Sequence, residues 1–180
     1  MTEISVDKGR RIRVYDNVLD LQVRNEIYTF ARKSAFTIGW EDNGAIESSQ
    51  HKFLHATYSS EDITRLGIMF YLAKTPVFRE LDGLNLSRAI MNLSTPSDVL
   101  QTHTHSAAKV LLYYVNLDWK NSWYGETLFF DESLGKIEFA SPYTPGRIIM
   151  FDGSIPHTIR PQSHEAPFYR FTLSLFFDAQ

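Results

Sequence analysis

The chain has 180 residues, 43% of them apolar and 14% aromatic, about one domain's length with enough apolar surface for a real core. A formal net charge of -3 and a pI near 6.1, with eighteen Lys and Arg scattered along the chain, argue against a charge-driven mode of binding duplex nucleic acid or an anionic membrane. Cysteine is absent, which excludes disulfides and thiolate metal sites, so any metal must be held by His, Asp or Glu.

The opening "MTEISVDKGRRIRVYDNVL" has no apolar leader core, and no stretch approaches membrane-spanning length, so a soluble, cytoplasmic protein is expected. Within it "RIRVYDNVL" (11–19) reads as a strand. Asp20 is placed to cap an amphipathic helix over Leu21 to Lys33, whose apolar set is Val23, Ile27, Phe30 and Ala31. A loop with Gly39 and Gly44 follows, then a short strand near Phe53 to Tyr58. Ser60 precedes a second helix with acidic residues in its first turn, with Ile63, Leu66 and Phe70 on one face, ended by Thr75-Pro76. "PVFREL" suggests one further helical turn. From Asn85 the runs "LNLSRAIMNLS", "KVLLYYVNL", "ETLFF", "KIEFAS", "RIIMF", "HTIRP" and "YRFTLSLFF" are short and strand-like, with turn residues between them. Helices followed by many short strands predict an α+β, mainly β chain whose β part is a sandwich or barrel. No repeat or linker interrupts it, so one domain is expected over 1–180, with its core at 85–178.

The six histidines lie at 51, 55, 103, 105, 157 and 164. Singly, each is an ordinary polar residue, and His51, His55 and His164 keep that reading. His103 and His105 differ in their spacing: on a strand, residues i and i+2 face the same side and can reach one ion, the plainer reading being a pair of surface histidines on an edge strand. A third histidine, His157, closes "GRIIMFDGSIPHTIRP", where Gly153 and Pro156 shape a turn. Arg170 interrupts an otherwise apolar last strand, with Thr172 and Ser174 on its face by alternation. Pointing inward, its guanidinium needs an anion, or an internal Asp or Glu as partner; pointing outward, Phe171, Leu173 and Leu175 form the core face.

From about Leu86 to Phe177 these pieces resemble the prolyl-hydroxylase-like branch of the 2-oxoglutarate and Fe(II)-dependent dioxygenases. The motifs are "MNLSTPSDVLQTHTH", "LLYYVNLDW", "YGETLFF", "PGRIIMFDGSIPHTIRP" and "YRFTLSLFF". In that family a His-x-Asp pair, a Tyr-bearing strand ending in Asn, a Gly-Glu-Thr segment, a distal His and an Arg on the final strand follow in this order. The resemblance implies a double-stranded β-helix (jelly-roll, cupin-like) with supporting N-terminal helices. It also implies iron held by His103 and His157, and Arg170 and Tyr114 on the far carboxylate of 2-oxoglutarate. Asn92, eleven residues before His103, stands where related demethylating enzymes often place an Asn on the co-substrate.

The departure is at His105, where the family has Asp or Glu. A three-histidine site with His105 as a ligand is one reading, with weaker iron retention and a stronger dependence on co-substrate. A slipped register, with His105 first and Ala107 in the acidic position, is the second, and loss of iron chemistry with retention of the fold is the third. Asp98, Glu126 and Asp152 are the acidic candidates to substitute from elsewhere, with turn and strand-end hydrogen bonding the plainer role of the last two. The resemblance implies hydroxylation of a peptidyl residue such as proline, using O2 and 2-oxoglutarate, with ascorbate as a possible supporting reductant and release of succinate and CO2. The competing readings are a small-molecule substrate, a three-His cupin-like dioxygenase without 2-oxoglutarate, and a non-enzymatic metal-binding module. The segment Trp40 to Tyr58, and Trp119, Trp123 and Tyr124, are candidates for lining the substrate's approach; packing is the more common role of such aromatics.

Overall fold

The computed structural model describes residues 1–39, 54–98 and 101–179. His51, Trp40 and most of the expected substrate-facing segment fall outside them. Eleven strands are described: β1 (Thr2–Ser5), β2 (Arg11–Tyr15), β3 (Thr37–Ile38), β4 (Leu54–Ser59), β5 (Leu84–Ser94), β6 (Lys109–Tyr114), β7 (Thr127–Phe130), β8 (Ile137–Ser141), β9 (Ile148–Asp152), β10 (His157–Ile159) and β11 (Arg170–Ala179). They form an eight-stranded sheet in the order β1-β2-β9-β6-β11-β5-β4-β3 and a three-stranded sheet in the order β10-β7-β8, all pairings antiparallel. Two facing antiparallel sheets of this kind make a jelly roll.

The helices cover the outer face of the large sheet. Helix α1 (Leu21–Lys33) begins where the sequence predicts, with the Asp20 carboxylate accepting from the Val23 amide at 2.9 Å. The second predicted helix is two: α2 (Ser60–Arg65) and α3 (Ile68–Leu72), separated by Gly67 at φ 72°. A left-handed residue cannot continue a right-handed helix, so the apolar stripe persists while the axis breaks. The cap is Ser59, one residue earlier than expected, in a reciprocal capping box with Asp62. "PVFREL" is a 3₁₀ turn, Pro76–Leu81.

Each central strand buries both faces, in two separate cores. Val23, Ile27 and Ala31 of α1 and Ile63 of α2 pack with Met91, Leu111, Tyr113, Leu173 and Leu175 on the helix side. Ile90, Leu112, Tyr114, Ile149, Phe151 and Phe176 face the small sheet and pack with Phe129 and Ile155. The two readings of the last strand are thus reconciled: Phe171, Leu173 and Leu175 meet the helices, while Arg170, Thr172 and Ser174 face the interior of the roll.

Candidate metal and co-substrate site

His103 and His105 lie on extended chain just ahead of β6 and outside any named strand. Backbone pairing aligns them nonetheless. His103 and His157 exchange amide-to-carbonyl bonds of 3.0 Å in both directions, and the His105 amide donates to the Gly153 carbonyl at 2.8 Å. A Cβ on Gly153 would come within 2.1 Å of the Ala107 carbonyl oxygen and 2.9 Å of that of His105, so this close approach requires glycine. The result is a triangle of imidazoles with ring centroids 4.5, 4.9 and 5.0 Å apart. One ligating atom from each lies within 4.8 Å of the other two.

Tautomers follow from the partners. His103 Nδ1 is 3.0 Å from the Gln101 carbonyl oxygen, and His157 Nδ1 is 2.9 Å from that of Ile155. A carbonyl only accepts, so Nδ1 carries the proton in both rings and Nε2 offers its lone pair. Burial, then the neighbouring His103 and His105, hold His157 well below the usual imidazole range, which keeps it neutral. Phe151 and Phe129 flank His157 at 4.8 and 5.9 Å, and Phe176 meets His105 edge-on at 4.8 Å. Three imidazole nitrogen donors against an apolar wall suit a borderline divalent ion such as Fe(II) or Zn(II).

No carboxylate joins this group among the described residues. Asp98 accepts from the Thr95 hydroxyl and amide at 2.6 and 2.8 Å, Asp152 pairs with Lys109, and Glu126 lies 3.9 Å from Arg160.

Arg170 is 1% exposed. Its Nε donates to the Gly125 carbonyl at 2.9 Å, and Nη2 reaches Thr127 Oγ1 only at 3.5 Å. No carboxylate pairs with it among the described residues, and burial pulls its pKa below the usual value. A buried guanidinium with part of its donor fork unused has the chemistry to take an anion. Gly125 makes room: at φ +87°, its Cβ would lie 3.1 Å from Arg170 Cδ. Tyr114, completely buried, donates to Thr127 Oγ1 at 2.7 Å, so Tyr114, Thr127 and Arg170 form one polar cluster. Asn92 belongs to the same interior row, opposite Thr172, itself opposite Tyr114, and its Nδ2 reaches the hydroxyls of Thr172 and Ser174 at 3.5 Å.

The role of Asn116 follows from its bonds. Its Oδ1 accepts from the Phe171 amide at 2.9 Å and its Nδ2 donates to the Tyr169 carbonyl at 2.9 Å, which fixes the start of β11 and hence Arg170. The Tyr143 ring stacks on Tyr114 at 4.4 Å and lies 4.8 Å from the Arg170 guanidinium. Tyr143 carries no signal in the sequence, whereas Gly125 opens the Gly-Glu-Thr segment. Trp119 and Trp123 are buried packing residues in mutual contact at 5.6 Å, whereas Tyr124 is partly exposed beneath Arg160.

No family model matches the chain, and no curated protein matches it in sequence. Solved structures do match. A prolyl-4-hydroxylase from Pseudomonas putida aligns over 94% of this chain and 92% of its own, with TM-score 0.63 and 14% identity. A prolyl hydroxylase from Trichoplax adhaerens, in complex with a peptide fragment of the hypoxia inducible factor oxygen degradation domain, aligns over 93% and 83%, with TM-score 0.68 and 13% identity. The chain has the fold of these hydroxylases. A 2OG-Fe(II) oxygenase family oxidoreductase from Burkholderia pseudomallei aligns over 93% and 84%, with TM-score 0.69 and 12% identity. No helix among the described residues is long and apolar enough to cross a membrane.

Proposed function

We propose that this protein is a 2-oxoglutarate- and Fe(II)-dependent oxygenase of the prolyl-hydroxylase-like branch, one domain over 1–180, that hydroxylates a peptidyl residue such as proline. The observation that carries the proposal is the pairing, within one jelly roll, of three convergent imidazoles with a buried arginine that has no carboxylate within ion-pair distance among the described residues. The fold likeness to hydroxylases, one of them in complex with a peptide, supports the peptidyl substrate. The absence of cysteine is consistent with action in the cytosol.

In this reading His103, His105 and His157 hold the iron, and the backbone carbonyls of Gln101 and Ile155 fix two of the rings in the tautomer that presents Nε2. Arg170 binds the far carboxylate of 2-oxoglutarate, with Tyr114 and Thr127 completing its polar end and Asn92 beside it. Phe129, Phe151 and Phe176 exclude water around the metal-binding edge. The bound metal and co-substrate supply the oxidation itself: 2-oxoglutarate and O2 become succinate and CO2 while the second oxygen atom enters the substrate C–H bond as hydroxyl. The chain's own contribution is placement and dryness, and no side chain acts as general base.

The test is conversion of 2-oxoglutarate to succinate by purified protein with Fe(II) and ascorbate, alone and with proline-containing peptides. Succinate that depends on both Fe(II) and 2-oxoglutarate is expected. Iron-loaded protein that neither binds nor consumes 2-oxoglutarate would overturn the proposal, and oxygen uptake indifferent to 2-oxoglutarate would favour a three-histidine dioxygenase of another kind.

A further inference from the structure

Tyr143 lies in the connection between β8 and β9 and is buried. Its ring is the centre of an aromatic group: it stacks on Tyr114 at 4.4 Å with the planes 15° apart, and Trp119 leans on it at 4.6 Å. The Arg170 guanidinium carbon lies 4.8 Å from the centre of this ring and 5.6 Å from that of Tyr114. The hydroxyl reaches the same strand by a second route. It accepts from the Asn116 backbone amide at 3.1 Å, and its own proton has Asn116 Oδ1, at 2.7 Å, and the Phe171 carbonyl in reach. Asn116 in turn bonds the Tyr169 carbonyl and the Phe171 amide, so the residues on both sides of Arg170 are tied to Tyr143. Burial pushes the pKa of the Tyr143 hydroxyl up, which keeps it a neutral donor.

We propose that Tyr143 is a positioning residue for the co-substrate: its ring face holds the Arg170 guanidinium in place before the carboxylate arrives, and its hydroxyl holds the ring. The proposal rests on the function assigned above and adds a residue to that site. A ring face attracts a cation electrostatically and leaves the N–H groups at the edge of the guanidinium free to donate, whereas a carboxylate in contact would occupy that donor fork. Asp98 and Glu126 favour the charge of Arg170 without ion-pair contact, so they do not fix its direction. An arginine left to move would have to be ordered when the anion binds, and the ring removes that part of the opposing entropy.

The experiment is calorimetry of 2-oxoglutarate into the Mn(II)-loaded wild type, Tyr143→Phe, Tyr143→Leu, Arg170→Met and the Tyr143→Leu/Arg170→Met pair, with Mn(II) affinity measured separately in the absence of 2-oxoglutarate. Tyr143→Leu should weaken 2-oxoglutarate binding about 30-fold, as loss of a desolvated cation–π contact does, while Mn(II) affinity stays within about threefold. Tyr143→Phe keeps the ring and loses the hydroxyl, so the loss should be about fivefold or less. In the Arg170→Met background, Tyr143→Leu should weaken binding by less than about threefold more, because the ring has no cation left to hold. A merely structural role gives another pattern: equal losses with and without Arg170, or Mn(II) affinity falling in step. Either result overturns the inference and leaves the function standing, as does a Tyr143→Leu protein that binds 2-oxoglutarate within about threefold of wild type. If Tyr143→Leu does not fold, the metal-free wild type decides by NMR. The Arg170 Nε–H signal, identified by its absence from Arg170→Met, should persist against solvent exchange and show a nuclear Overhauser contact with the Tyr143 ring; a signal lost to exchange, or without that contact, overturns the inference. Mn(II)-loaded wild type that binds no 2-oxoglutarate overturns the function and the inference together.

Discussion

Arg170→Met removes the guanidinium and keeps most of the volume of its stem. In the present account the two halves of its effect separate. The lost contact is a charge-assisted bond to a carboxylate in a buried setting, worth 2–5 kcal/mol by general experience; a value of about 3 kcal/mol corresponds to a roughly 150-fold loss of 2-oxoglutarate affinity. Stability should barely change. The variant forfeits the bond from Nε to the Gly125 carbonyl, about 1 kcal/mol, but it also relieves the burial of a charge that has no carboxylate within ion-pair distance among the described residues, so the two roughly cancel. The assay is calorimetry of 2-oxoglutarate into Mn(II)-loaded protein, beside urea unfolding of the apo form. Affinity unchanged within about threefold would refute the assignment of Arg170 as the anion site. Unfolding of the variant at neutral pH without denaturant would refute the view that its charge serves the ligand more than the fold.

Other substitutions test the supports of the site. Gly153→Ala drives a methyl group into the Ala107 carbonyl and should part the backbone that sets His105, so metal affinity should fall ~10- to 100-fold by Mn(II) titration. Tyr114→Phe deletes the 2.7 Å bond to Thr127; a loss of about 1 kcal/mol in urea unfolding and a roughly fivefold weaker 2-oxoglutarate affinity are expected. At the surface, Arg147 grips Asp16 with bonds of 2.7 and 2.9 Å, and this contact, ahead of the opposing effect of burial, lowers the Asp16 pKa from 3.8. A carboxylate depressed in the folded state adds stability that is whole above its unfolded pKa and disappears as pH falls through the folded one. Asp16→Asn should therefore be less stable than wild type at neutral pH by chemical denaturation, with the gap closing below about pH 3.8.

Much of the fold was legible because its elements are local. The helix from Leu21 to Lys33 has its cap in Asp20 and its stripe in Val23, Ile27 and Ala31, and the seven strand-like runs after Asn85 all became strands. What escaped reading depends on neighbours distant in sequence. The strand Thr2–Ser5 exists because Arg11–Tyr15 pairs with it, and Thr37–Ile38 because Leu54–Ser59 does. The break at Gly67 was hidden by an apolar stripe that runs across it. At the site, the His-x-His spacing carried the metal-binding triangle even though the segment lies outside a named strand, because the backbone pairing with His157 and Gly153 supplies the alignment. Tyr143 and Gly125 act through the ring of Tyr114 and the stem of Arg170, contacts that no spacing in the chain encodes.

The most direct test is an anaerobic crystal structure with Mn(II) or Fe(II) and 2-oxoglutarate, the metal located by its anomalous signal. The account predicts one metal bound by Nε2 of His103, His105 and His157, with the far carboxylate of 2-oxoglutarate on Arg170. A metal bound without His105 or His103, or a co-substrate carboxylate away from Arg170, would contradict it.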